Sequence, residues 1–219
     1  MKYKMMSVLL IVIGIIVFSY PKLSEWVDDW QQQRLLTAWH NSLRNIDAGD
    51  DVPGANETNG RDELPNEQTI LDRATMQAST ESKLANQQQN IEGILIIDKI
   101  DLKLPILYGA TNKNMKTSVA QIEKTGKPGE VGNLAIAGHR NRTYGRNFNR
   151  LDEMEKGDTI EVETENQQFQ YVVTEKFTVK PDEVWVLEPQ GHGQEITLVT
   201  CEPMVNPTHR LIIKGKILE

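Results

Sequence analysis

Hydrophobic and polar positions divide the chain into three stretches with different periods. Residues 5–20, MMSVLLIVIGIIVFSY, carry no charged side chain. As a helix rising about 1.5 Å per residue they span ~24 Å, slightly short of the roughly 30 Å hydrocarbon core of a bilayer. Lys22 can snorkel beyond the run and Trp26 can sit at the interface. Lys2 and Lys4 precede the span and Glu25, Asp28 and Asp29 follow it, which places residue 1 in the cytoplasm and the remaining chain outside. Tyr20, Pro21, Lys22 and Leu23 offer no small-residue cleavage site, so the segment reads as an uncleaved signal anchor.

In the second stretch Leu23, Trp26, Val27 and Trp30, then Leu35, Leu36, Trp39 and Leu43, recur at spacings that predict an amphipathic juxtamembrane helix. Residues 47–69, DAGDDVPGANETNGRDELPNEQT, hold two Pro and three Gly among few apolar side chains. Such a segment cannot bury enough surface to offset chain entropy and reads as a flexible linker, followed by a weak polar helix over 70–90.

From Ile91 the pattern changes again. Short runs rich in Ile, Val, Leu, Thr, Tyr and Phe alternate with Gly, Pro, Asn and Asp, the look of a β domain. The candidate strands are GILIIDK (93–99), LKLPILYG (102–109), GNLAIAGH (132–139), DTIEVET (158–164), QFQYVVTEKFTV (168–179), EITLVTC (195–201) and HRLIIKGKIL (209–218). TNKNMKTSVAQIEKT (111–125) reads as the one short helical insertion. Seven or eight short strands in about 130 residues predict an all-β closed barrel or sandwich. The domain organisation is therefore a cytoplasmic tip and signal anchor over 1–22, a juxtamembrane helix and linker over 23–90, and a β domain over 91–219. No internal period recurs, so a repeat architecture is excluded.

Charge and composition narrow the function. A formal net charge of −7 and a pI near 5.2, with no basic stripe after residue 22, exclude a protein that tracks nucleic-acid phosphates. The single cysteine, Cys201, rules out an internal disulfide. An unpaired cysteine is by itself only a small buried hydrophobe. Its address changes that reading, because Cys201 closes one predicted strand and His139 closes another, where a rigid sheet can present both side chains. Arg210 follows at the start of the next strand. If the loop over 202–208 turns the chain back, Arg210 comes beside the thiol, and its permanently charged five-donor fork suits an oxyanion or a substrate carbonyl.

Competing side chains fit less well. His209 adjoins Arg210, and neighbours on a strand face opposite ways, so it points away if Arg210 faces the thiol. His192, in PQGHGQ, reads as a solvated loop residue. Zinc finds no local ligand pair among four His and one Cys. Asp152, Glu153, Glu155 and Asp158 could attract Ca²⁺ but lack EF-hand-like spacing and read as a solvated turn, so no cofactor is expected.

AGH at 137–139, TLVTC at 197–201 and Arg210 together resemble the signature of the sortases, cysteine transpeptidases of Gram-positive surfaces. The resemblance covers residues from about 91 to 219 and implies an eight-stranded sortase-type β-barrel. It also implies Cys201 as nucleophile, His139 as acid and base, and Arg210 as stabiliser of substrate and tetrahedral intermediate. The implied partners are surface proteins with C-terminal LPXTG-like sorting signals, cleaved after Thr, and the amine of a peptidoglycan precursor that resolves the acyl-enzyme. Pilin-polymerising relatives usually carry an Asp-Pro-aromatic lid and often a C-terminal span. Here 47–69 has Asp50, Asp51 and Pro53 without an aromatic residue, and the sequence stops at Glu219, which fits an anchoring sortase of class A or D. The alternatives are a cysteine protease that hydrolyses the same kind of acyl-enzyme and a tethered binding module with an inert thiol. Unperturbed side chains would give ~9% thiolate and ~9% imidazolium at pH 7.5, so the reactive ion pair would be ~1% of the enzyme.

Overall fold

The computed structural model of the chain describes residues 26, 27, 30–37 and 90–217. The expected signal anchor over 5–20 and linker over 47–69 lie outside these residues. Among the described residues no helix is long and apolar enough to cross a membrane.

Residues 30–37 are helical, α1. The remainder is built from β1 (Ile91–Ile97), β2 (Leu102–Tyr108), a short helix α2 (Asn112–Thr117), β3 (Val119–Gln121), β4 (Gly132–Ala137), β5 (Thr159–Glu163), β6 (Gln168–Val179), β7 (Gln194–Glu202) and β8 (His209–Ile217). They close into a barrel in the order β1-β2-β3-β4-β7-β8-β6-β5, with β5 pairing back onto β1. The β2–β3 and β4–β7 pairs are parallel and all others antiparallel.

Seven strands form where the alternation predicts them. The eighth, β3, comes out of the stretch expected to be wholly helical. Thr111 caps α2 by accepting a 3.2 Å bond from the Asn114 amide, and the helix ends at Thr117. Ser118 then donates its hydroxyl to the Pro105 carbonyl at 2.6 Å, and Val119, Ala120 and Gln121 pair alongside β2, all buried. Three residues are too few to show a period of two, and the partner that makes them a strand is supplied by tertiary structure.

Alternation along the strands decides what faces the core. Leu134 and Ile136, Ile196 and Leu198, and Leu211 and Ile213 point inward with Phe148, Leu151, Met154 and Tyr171. Each such side chain contributes about 1.5–3 kcal/mol by leaving water. Residues of the opposite parity, including 137, 199, 201, 210 and 212, therefore face outward at this part of the wall.

The sequence reading set the helix after residue 23 apart from the β domain, and here the structure differs. Leu35 of α1 is 6% exposed and packs with Ile91, Ile94, Leu107 and Ala120, flanked by Leu36, Ile96, Ala110 and Met115. Gln32 donates from Nε2 to the Asn147 side-chain oxygen at 2.9 Å. An apolar stripe at helical spacing looks the same whether it meets lipid or protein. The outer face of β1 and β2 carries enough apolar surface to attract it.

Candidate active site

Cys201 and Arg210 stand directly opposite each other in the antiparallel β7–β8 ladder, and Glu202 stands opposite His209. Opposed residues share a face of the sheet, so the guanidinium and the thiol emerge on the same side and His209 on the other. On the far side of β7 the parallel ladder with β4 aligns Ile136 with Leu198 and Ala137 with Val199. Two further bonds extend it: Gly138 donates its N–H to the Val199 carbonyl at 3.1 Å, and the Thr200 hydroxyl donates to the Gly138 carbonyl at 2.8 Å. One more step in this alignment sets His139 beside Cys201. All three residues singled out in the sequence thus come to one end of the outer barrel wall.

The backbone around His139 is tightly specified. A Cβ on Gly138 would fall 2.7 Å from the Phe148 ring, so only glycine fits between the sheet and that core aromatic. Phe148 also donates its N–H to the His139 carbonyl at 3.1 Å. Burial, followed by the nearby Lys116 charge, lowers the His139 pKa from the usual value of 6.5, although solvent still reaches the ring. Cys201 and Arg210 are half-buried. The Arg210 side chain donates from Nη1 to the His209 carbonyl at 3.0 Å. No carboxylate pairs with it among the described residues, which leaves the rest of its fork available to an incoming oxygen.

The wall beside this group is apolar. Val179, Arg210 and Cys201 lie abreast across β6, β8 and β7, and Phe177, Ile212 and Val199 form the next row. Val179, Val186 and Ile212 are buried together, with Phe177, Leu187 and Val199 packed against them. The 3-10 turn Val184–Leu187, in the β6–β7 connection, lies over these rows. Asn133 holds it by donating to the Leu187 carbonyl at 2.9 Å, while Thr197 donates to the Asn133 side-chain oxygen at 2.9 Å. Trp185 stacks on Phe177 at 5.9 Å between centroids.

The other candidates are elsewhere. The exposed His209 shares a 2.9 Å hydrogen bond with the Thr208 hydroxyl, and His192 is exposed in its loop. The acidic turn is engaged with cations: Asp158 accepts from Lys99 at 2.7 Å, Glu153 from Arg150 at 2.8 Å, and Asp152 pairs with Arg140 at 2.9 Å. No group of three or more His, Cys, Asp or Glu that could hold a metal occurs among the described residues. Sequence reasoning missed Asn133 and Thr197, whose roles depend on a loop it could not place. It also missed Arg140 and Glu202, which form an ion pair behind the site. Their signal was present in the sequence, as opposite charges immediately after the candidate His and Cys.

Residues 95–218, more than half of the chain, match the family model for the sortase domain. The chain belongs to the sortase family. It is 26% identical to sortase A of Bacillus anthracis over 99% of its own length and 94% of that protein. It is 29% identical to sortase D of Bacillus subtilis, over 69% of this chain and 76% of the relative. The barrel superposes on a Clostridium perfringens sortase D5 transpeptidase with a TM-score of 0.54 and 32% identity, covering 59% of this chain and 79% of the other. Sortases are cysteine transpeptidases that act on cell-wall surface proteins, and this chain is an enzyme of that type.

Proposed function

We propose that the chain is a membrane-anchored sortase of class A or D that cleaves an LPXTG-like sorting signal after its Thr and transfers the acyl group to the amine of a peptidoglycan precursor. In this reading the run over 5–20 is the anchor, with the N-terminus in the cytoplasm and the barrel outside. The observation that carries the chemistry is the row across the outer wall: Arg210 opposite Cys201 in one ladder, and His139 aligned with Cys201 by the other.

The Cys201 thiolate attacks the Thr carbonyl carbon, and the negative charge that develops on the carbonyl oxygen meets the Arg210 guanidinium. Collapse of the tetrahedral species breaks the C–N bond, and His139 gives its proton to the departing amine. The acceptor amine then attacks the thioester, His139 takes up the proton it loses, and the thiolate leaves. The apolar row of Val199, Ile212 and Phe177 suits the Leu and Pro of the signal, because it lies next to the thiol on the same face.

The identity of products tests this reading. A panel of LPXTG and LPXTA peptides, incubated with and without candidate amines, is expected to give the peptide–amine conjugate by mass spectrometry whenever a suitable amine is present. Hydrolysed peptide alone, at saturating amine, would support the protease alternative.

The depressed His139 pKa adds a pH prediction. The productive form needs an imidazolium together with a thiolate, so depressing the His139 pKa makes this form scarcer at the pH where the thiolate is present. Lys116→Gln removes one cause of the depression. Its acidic limb of kcat/KM is expected to move to higher pH, with a maximum equal to or above that of the wild type. An acidic limb moving to lower pH would contradict the proton-donor role of His139.

A further inference from the structure

Three consecutive side-by-side positions join the ends of β4 and β7. Gly138 and Thr200, 62 residues apart, are tied by the hydroxyl-to-carbonyl bond. His139 and Cys201 come next. Arg140 and Glu202, also 62 residues apart, follow and are tied by an ion pair between Nη1 and a carboxylate oxygen. The strand register ends at Ala137 and Val199, one backbone bond from the Gly138 N–H to the Val199 carbonyl follows it, and side chains carry the connection beyond. The reacting pair is thus bracketed by one side-chain link before it and one after it.

The second link is a built one. The Arg140 side chain is 7% exposed, and besides Glu202 it meets Asp152 through Nη2 at 2.9 Å and donates from Nε to the Asn149 carbonyl at 3.5 Å. One guanidinium therefore joins the end of the Cys strand to the 3-10 turn Leu151–Glu153 and the residues before it. By strand alternation Glu202 faces away from the thiol, together with His209, so the pair lies behind the site and outside reach of a peptide on the outer wall.

We infer that Arg140 and Glu202 are positioning residues, a clamp that sets the separation of the Cys201 thiol from the His139 ring. The inference rests on Cys201 and His139 being the reacting pair. Two consequences differ in size. Removing Arg140 loosens the clamp and also leaves the Glu202 carboxylate bare, one residue from the thiol, where it disfavours the thiolate. Removing the Glu202 charge only loosens the clamp, because Asp152 still holds Arg140.

The test is a double-mutant cycle in the full chain, with a sorting-signal peptide and an added amine, reading kcat and KM separately and thermal unfolding alongside. Arg140→Met is expected to lower kcat by roughly 10- to 100-fold, the scale of an ångström-level misplacement, with KM within about twofold. Glu202→Gln is expected to cost about 5- to 10-fold in kcat. The double variant should be more active than Arg140→Met alone, since the bare carboxylate is gone. A purely structural role would also couple the two residues but would predict losses that follow the unfolding temperature, whereas the clamp predicts a loss of kcat in variants whose unfolding temperature is unchanged. If Arg140→Met does not fold, Glu202→Gln decides alone. A kcat within about twofold of wild type in a folded single variant, a loss confined to KM, or additive losses would overturn the clamp. Cys201→Ala in the same assay separates the two levels. Turnover without the thiol sinks the catalytic reading itself, whereas an inactive Cys201→Ala beside undiminished Arg140 and Glu202 variants sinks the clamp alone.

Discussion

Cys201→Ala is expected to abolish transpeptidation and leave the barrel folded. The change deletes one half-buried sulfur at the end of β7, while the ladders on both sides of that strand are made by backbone and by Ile196 and Leu198 inside. Its structural cost should be within about 1 kcal/mol, small beside the stability of a domain. Its chemical cost is total, because no other thiol exists in the chain to form the acyl-enzyme. The measurement is amide-bond formation between peptide and amine, with circular dichroism to verify the fold. Turnover above the uncatalysed rate in a folded variant would end the covalent mechanism.

Arg210→Ala is expected to lower kcat/KM by roughly 10²- to 10³-fold, the range that follows loss of one oxyanion donor. Arg210→Lys should recover part of this, since an ammonium keeps the charge and loses the planar fork. His209→Ala should cost less than about threefold, because its side chain opposes Glu202 and is bonded to Thr208, away from the thiol face. The pattern across the three variants matters more than any one value. A larger loss at His209 than at Arg210 would mean that the neighbour with the right chemistry for proton transfer is the working one, and the assignment of His139 would fall with it.

Much of this site was legible in the sequence because its parts sit at strand ends, and strands announce themselves by alternation. GNLAIAGH and EITLVTC each end on a candidate side chain, and the loop over 202–208 is short enough to return Arg210 to Cys201. What alternation leaves open is which strands become neighbours. The β4–β7 pairing, which brings His139 to Cys201, joins segments with β5 and β6 between them and leaves no local mark. The same blindness hid β3, made by its contact with β2, and the seat of Leu35 on the outer face of β1 and β2. The Arg140–Glu202 pair was missed for a different reason: charged residues next to the candidate ones read as solvated until a structure shows where they point.

The parallel β4–β7 ladder has a consequence for how the enzyme comes into being. Arg210 reaches Cys201 by closing a hairpin across residues 203–208, whereas His139 reaches it only when chain ends 62 residues apart are brought together. By loop-closure entropy the second step costs roughly 2 kcal/mol more than the first, before any contact repays it. Topologies dominated by such distant pairings fold slowly. The thiol and its cationic neighbour are thus the cheap part of the assembly, and His139, the proton donor of the proposed mechanism, the expensive part. On the proposed mechanism, a newly made chain with its hairpin formed and its barrel open would hold a nucleophile that cannot expel a leaving group, and competence for transfer would arrive together with closure of the whole wall.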